Sequence, residues 1–194
     1  MNLYDLITIQ TDVIPQEHIE ELMLVTNNKT LDSTVISMDD DGNKTEKVVK
    51  DHRVTVNYIL PDEQIDKIHA SIENLFINFL KDRYKCEAKN YETVQFLGYP
   101  VGGHYIKHND SETLCDGKWV KMANRDISLL FYLNEEFGGG ELEFPDLGLT
   151  IKPKKGMMIA FPSYKEFYHK VHPVTWGHRY TLVSWIETQE RIYG

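Results

Sequence analysis

The run His108-Asn109-Asp110 puts an imidazole and a carboxylate two residues apart. Successive side chains on an extended strand point to opposite faces, so His108 and Asp110 share one face and Asn109 turns away. A nitrogen donor and a carboxylate oxygen aimed at one point suit a divalent metal. One further imidazole would complete a two-histidine, one-carboxylate facial triad, which leaves adjacent coordination positions open for reactants. The pattern alone is common, and its weight comes from a second segment. Residues 167–187 carry His169 and, ten positions later, Arg179. This stretch reads as a β-hairpin, with a strand to Val171, a turn through Pro173 to Gly177 and a return strand from Arg179. Alternation sets Arg179, Thr181, Val183 and Trp185 on one face, and His169 with Val171 on the facing side of the preceding strand. An arginine on an apolar face is costly unless it meets an anion. A third metal ligand and an anion-binding guanidinium are therefore expected to face one pocket.

The remaining candidates are weaker. His104 has Ile106, not an acid, two residues on; His172 points opposite to Val171 and reads as an edge residue; His178 faces outward. Glu141 and Asp146 read as acids making local or surface contacts.

The elements that must hold these side chains follow from periodicity. Residues 3–9 read as a short strand, and Pro15 opens a helix to about Asn27. Pro61-Asp62 starts the longest helix, to about Lys85, whose Ile65, Ile68, Ile72, Leu75, Phe76, Phe79 and Leu80 form one apolar stripe for packing on a sheet. A strand is expected at 53–60. From Tyr91 onward short β-rich runs fall at 91–98, 104–108, 126–133, 141–144, 148–152, 157–161, 167–171 and 179–187, the spacing of an all-β sandwich or barrel. Residues 28–51, with the turn signal Asp40-Asp41-Gly42-Asn43, and residues 111–125 read as polar surface loops. The whole chain, 1–194, reads as one domain, with a helical support region over 1–90 and the catalytic core over 91–190.

With these pieces in place, Tyr99 to Ile186 resembles the catalytic domain of the prolyl 4-hydroxylase-like 2-oxoglutarate/iron(II) oxygenases. The matching residues are Tyr99, Gly102, Tyr105, His108 and Asp110; then Phe131-Tyr132-Leu133-Asn134; then Gly139-Gly140-Glu141-Leu142 with Phe144. Pro153, Gly156 and Phe161-Pro162 follow, and the series ends with His169, Val171, Pro173-Val174, Gly177 and Arg179-Tyr180. The resemblance implies a double-stranded β-helix, or jelly roll, mainly β with the N-terminal helices packed on one sheet. It implies iron(II) on His108, Asp110 and His169, with Arg179 gripping the distal carboxylate of 2-oxoglutarate. Tyr132 would join Arg179 there, and Tyr99 would lie beside the co-substrate nearer the metal. Alternation agrees in setting Ser128, Leu130 and Tyr132 on one face, and Leu142, Val171 and Trp185 would form the apolar wall. The implied reaction consumes O2 and 2-oxoglutarate, releases succinate and CO2 and hydroxylates an unactivated C–H bond, with ascorbate as a candidate reductant. By the same resemblance the substrate is a prolyl residue in a peptide or protein, approached through 28–51 and 111–125, with Trp119 a candidate stacking surface. The alternatives are a hydroxylase of a free amino acid or other small molecule and a non-catalytic jelly-roll binding module.

Bulk properties narrow the partners. The net charge of −9 argues against a broad nucleic-acid-binding surface and mildly favours a basic target segment. No stretch of ~18 apolar residues offers a membrane span. Two isolated cysteines, Cys86 and Cys115, suit a reducing compartment, and the start of the chain lacks a signal-peptide pattern, so a cytoplasmic location is expected. Oligomeric state is not readable.

Overall fold

The computed structural model describes residues 2–27, 30–38 and 44–192. Two antiparallel sheets face each other. The larger runs Thr8–Gln10, Met158–Pro162, Ile127–Tyr132, Arg179–Thr188, Gln95–Tyr99, Val56–Tyr58, Thr30–Asp32, with Ala88–Tyr91 paired to the far end of Arg179–Thr188. The smaller runs Leu149–Ile151, Leu142–Phe144, His169–Val171, His104–His108, Arg53–Val54. This is the jelly-roll arrangement expected, and the strands after Tyr91 fall close to their sequence-read limits.

The helices cover the outer face of the larger sheet. Asp62–Leu75 continues through a π-turn at Phe76–Leu80 into Lys81–Tyr84, and Lys85, at φ 52°, ends it in the left-handed region. Its stripe of Ile68, Ile72, Phe76 and Leu80 is buried. Ile68 and Ile72 approach Phe131 of the sheet, and the Phe76 ring meets Tyr91 edge-on at 6.1 Å. Residues facing the opposite side of Ile127–Tyr132 are thereby freed to face the interior of the sandwich.

Besides the strand expected at 53–60, which divides into Arg53–Val54 in the smaller sheet and Val56–Tyr58 in the larger, four expectations change. Residues 3–9 are not one strand: Leu3–Leu6 forms a 3-10 turn and pairing begins at Thr8. Residues 111–125 are not a loop but contain a hairpin, Glu112–Cys115 against Lys118–Lys121, with Leu114 opposite Trp119. Residues 28–51 hold the edge strand Thr30–Asp32 and a hairpin of Val35–Met38 with Lys44–Lys47, while the Asp40–Asn43 turn signal lies outside the described residues. The fourth change matters most for the site. His169–Val171 and Arg179–Thr188 are not a hairpin, because they belong to opposite sheets. Between them Val174–Gly177 pairs with Phe137–Gly139 across a bulge at Gly138/Gly139, carrying the chain from one sheet to the other. Both cysteines are free, and no described helix is long and apolar enough to cross a membrane.

Candidate active site

His108 ends its strand directly opposite His169 in the neighbouring one. Asp110 follows just beyond, its N–H donating to the Ser163 carbonyl at 3.2 Å. The Asn109 side chain turns away, as alternation requires, and accepts from the N–H groups of Ser111 and Glu112 at 3.2 and 2.7 Å, closing a tight turn. One ligand atom from each of His108, Asp110 and His169 lies within 4.8 Å of the others. His104 and His172 take no part: His104 Nδ1 donates to the Gly102 carbonyl at 2.9 Å, and His172 Nε2 meets Glu143 at 2.5 Å on the sheet's outer side.

Local contacts fix the direction of each donor. His108 Nδ1 lies 2.7 Å from the Ile106 carbonyl and His169 Nδ1 3.0 Å from that of Phe167. A carbonyl can only accept, so both Nδ1 atoms carry the proton and both Nε2 lone pairs are left for a ligand. These Nε2 atoms sit 3.6 and 3.8 Å from the two Asp110 oxygens. Tyr105 stacks on the His108 ring at 3.5 Å and 17°, and Phe161 meets the His169 ring edge-on at 4.8 Å. The Ser128 hydroxyl, reaching across from the larger sheet, donates to Asp110 Oδ2 at 2.6 Å.

The electrostatics suit a divalent cation. Burial, reinforced by the charge on His169, pushes the His108 pKa down to about 3, so its imidazole is neutral at physiological pH. Burial works against the Asp110 carboxylate, but the two imidazoles, Arg125 and the Ser128 hydrogen bond outweigh it and hold the pKa at about 2. Two imidazole nitrogens and one carboxylate oxygen, with side chains 16, 5 and 9% exposed, form a largely buried donor set matched to iron(II).

The facing sheet supplies the opposite charge. Arg179 is fully buried. Its Nη1 donates to Thr181 Oγ1 at 2.8 Å, while among the described residues Nε and Nη2 find no hydrogen-bond partner, and neither does the buried Tyr132 hydroxyl. The guanidinium carbon lies 4.4 Å from the Tyr99 ring centroid and 4.9 Å from that of Tyr132. Burying unsatisfied donors beside a permanent cation is costly. A carboxylate presented to both nitrogens and the phenol would remove that cost. Gly140, at φ +67°, backs this pocket: a Cβ there would come within 2.9 Å of Arg179 Cδ.

Between the two sheets opens a cavity of about 600 Å³. Its wall includes the three donor residues, Tyr99, Val171 and Trp185, whereas Arg179 and Tyr132 sit behind the Tyr99 side. Leu142, expected in that wall, is buried beside Val171 and does not reach it. Sequence reasoning assigned no role to Ser128, Tyr105, Arg125 or Glu92. The Arg125 guanidinium carbon lies over the Trp185 ring, 3.6 Å from its centroid, and the group is gripped by both Glu92 oxygens. The alternation that orients Tyr132 already turned Ser128 inward; nothing local pairs Glu92 with Arg125.

Residues 94–187 match the 2OG-Fe(II) oxygenase superfamily. Those residues, just under half of the chain, carry an oxygenase domain of that kind. The oxygenase is 25% identical over 183 residues to a protein from Acanthamoeba polyphaga mimivirus named as a prolyl 4-hydroxylase, covering 88% of this chain and 69% of the relative. It is 37% identical over 100 residues to a PKHD-type hydroxylase of Aliarcobacter butzleri, covering 50% of this chain and 43% of that one. Among solved structures, the oxygenase superposes on a viral collagen prolyl hydroxylase from Paramecium Bursaria Chlorella virus-1, in complex with 2-oxoglutarate. The TM-score is 0.67 at 24% identity over 95% of this chain and 97% of the other. The oxygenase is thus an iron(II)- and 2-oxoglutarate-dependent dioxygenase of the prolyl hydroxylase-like kind.

Proposed function

We propose that this oxygenase hydroxylates a prolyl residue within a peptide or protein, with His108, Asp110 and His169 holding iron(II) and Arg179 with Tyr132 holding the distal carboxylate of 2-oxoglutarate. The observation that supports the reading is the pairing of two incomplete groups across the sandwich: a three-donor cluster on one sheet, and on the other a buried guanidinium with two unsatisfied nitrogens beside an unsatisfied phenol, among the described residues. Iron and 2-oxoglutarate, once bound, supply oxidative decarboxylation to succinate and CO2, coupled to placing one oxygen atom of O2 on a C–H bond. The chain's own residues orient and shield. His108 and His169 present Nε2 because their Nδ1–H groups are spent on carbonyls. Arg179 offers two parallel donors to a carboxylate, a geometry lysine would not reproduce. Tyr99 lies beside Arg179 and lines the cavity, where it would border the co-substrate. Leu130, Val183 and Trp185 give the cavity an apolar floor that keeps water from the reacting centre. Its volume is within the range for a small-molecule site and holds a co-substrate with one inserted side chain. The prolyl assignment draws on the relatives, which are named as prolyl hydroxylases.

The test is mass spectrometry of proline-containing peptides and of free L-proline after incubation with enzyme, iron(II), ascorbate and 2-oxoglutarate. A gain of one oxygen on peptidyl proline, matched by succinate, is expected. Oxidation of free proline with no response to any peptide would overturn the substrate assignment.

A further inference from the structure

The outer half of the cavity has a hydrogen-bonding character different from its centre. On the floor of the larger sheet, pairing places Leu31 opposite Asn57 and Asn57 opposite Leu97. Gln95 lies two residues from Leu97 on the same face, diagonal to Asn57, a distance that one extended ligand segment can span. Ser33 continues the edge strand, its N–H donating to the Thr55 carbonyl at 3.2 Å. Asn57, Gln95 and Ser33 all line the cavity. The Ser33 hydroxyl is buried, and among the described residues no partner is found for it or for the side-chain amides of Asn57 and Gln95.

The charged residues of the same wall are engaged within the protein. Arg125 is held by Glu92, Glu112 by Arg191, and Lys107 by Asp146. Arg53 donates to Thr55 Oγ1 at 2.9 Å and to the Thr34 carbonyl at 3.1 Å. Asp32 stands 3.9 Å from Lys50. What the wall leaves open is neutral: two carboxamides, each with a donor and an acceptor, and one hydroxyl, set among Leu31, Leu97 and Val183. Among the described residues Arg53 alone of these is held by neutral acceptors and not by an opposite charge, and its Nε and Nη1 donors are spent on Thr55 and Thr34. A main-chain amide, uncharged and carrying one donor and one acceptor, matches the set.

We infer that Asn57, Gln95 and Ser33 form a ledge that binds a peptide bond of the substrate flanking the reacting residue, so that the site reads main chain and not side-chain charge. The inference rests on the peptide-hydroxylase reading above and adds the groups that enforce it.

The test begins with a panel of blocked five-residue peptides with central proline, assayed with the iron- and 2-oxoglutarate-loaded enzyme. The best substrate is then remade with each flanking amide in turn replaced by an ester, which removes the N–H and weakens the carbonyl as an acceptor. Asn57→Ala and Gln95→Ala should each raise KM for the parent peptide about tenfold, the worth of one neutral hydrogen bond, while KM for 2-oxoglutarate stays within about twofold. One ester should cost the unsubstituted enzyme about tenfold and cost the Asn57→Ala/Gln95→Ala double variant nothing further. Equal penalties for that ester in enzyme and double variant, or an unchanged peptide KM in both single variants, would overturn the ledge and leave the prolyl reading standing. Turnover of free proline with none of the panel would overturn the prolyl reading itself and the ledge with it. The ester scan on the unsubstituted enzyme needs no variant: if no flanking ester raised KM, the ledge would be overturned even where the double variant folds poorly.

Discussion

Ile127–Tyr132 in the larger sheet is buried at all six positions and paired along both edges, whereas His104–His108 in the smaller sheet is partly or fully exposed throughout and meets its neighbour across an irregular register. The two strands serve opposite halves of one reaction. The larger sheet fixes Arg179 and Tyr132 through continuous backbone ladders and a helix-covered core, so the proposed co-substrate anchor inherits the rigidity of the fold. The smaller sheet places His108 and Asp110 at a strand end, where the ladder gives little control. There the geometry depends on individual tethers: the two Nδ1–carbonyl bonds, the Tyr105 stack and the Ser128 hydroxyl. The lesson is that anchor and metal set should respond differently to damage.

The largest expected effect is at the anchor. Arg179→Ala removes one side of a desolvated charge pair, and KM for 2-oxoglutarate should rise by tens- to thousands-fold, about 2–5 kcal/mol, with metal binding retained. An unchanged KM would mean that another group holds the distal carboxylate. Next comes Leu129→Ala, at a fully buried position of the same strand as Tyr132. It should cost about 2–5 kcal/mol of stability by chemical denaturation, yet the enzyme that remains folded should keep its metal affinity. Smaller again is Ser128→Ala, which cuts the tether from the larger sheet to Asp110. Iron affinity should fall about tenfold, with a change in folding stability under about 2 kcal/mol. If Leu129→Ala weakened metal binding as much as Ser128→Ala did, the contrast between ladder-held and tether-held halves would fail.

The sequence reveals the site more readily than the path between its parts. His108 and Asp110 are legible because strand alternation is a local property, and Arg179 because an arginine among Thr181, Val183 and Trp185 needs an explanation wherever the strand lies. The sheet to which each strand belongs is a different matter. Seven residues separate Val171 from Arg179, enough for a tight return or for a crossing of the ~10 Å between packed sheets, and Pro173 and Gly177 suit both. The choice is made by Phe137–Gly139, distant in sequence, which captures Val174–Gly177; a Cβ at Gly139 would lie 2.1 Å from the Pro173 carbonyl oxygen. The same holds for 111–125, whose polar composition reads as loop. Its hairpin is secured at the base by the buried Asp126, which accepts from Lys121 at 2.9 Å, Tyr164 at 2.8 Å and the Thr188 N–H at 3.0 Å. No short-range pattern announces a carboxylate shared by three segments. Facing sheets also explain why His169 and Arg179 both point inward: they look at each other across the sandwich and are not neighbours on one surface.

The central claim is that one metal and one 2-oxoglutarate bridge the two sheets. It is tested most directly by a crystal structure of the enzyme soaked with Mn(II) and 2-oxoglutarate without oxygen. The account predicts manganese on His108 Nε2, His169 Nε2 and an Asp110 oxygen, with the distal carboxylate on Arg179 and the Tyr132 hydroxyl. Manganese on His104 or His172, or a co-substrate carboxylate that leaves Arg179 unpaired, would contradict it.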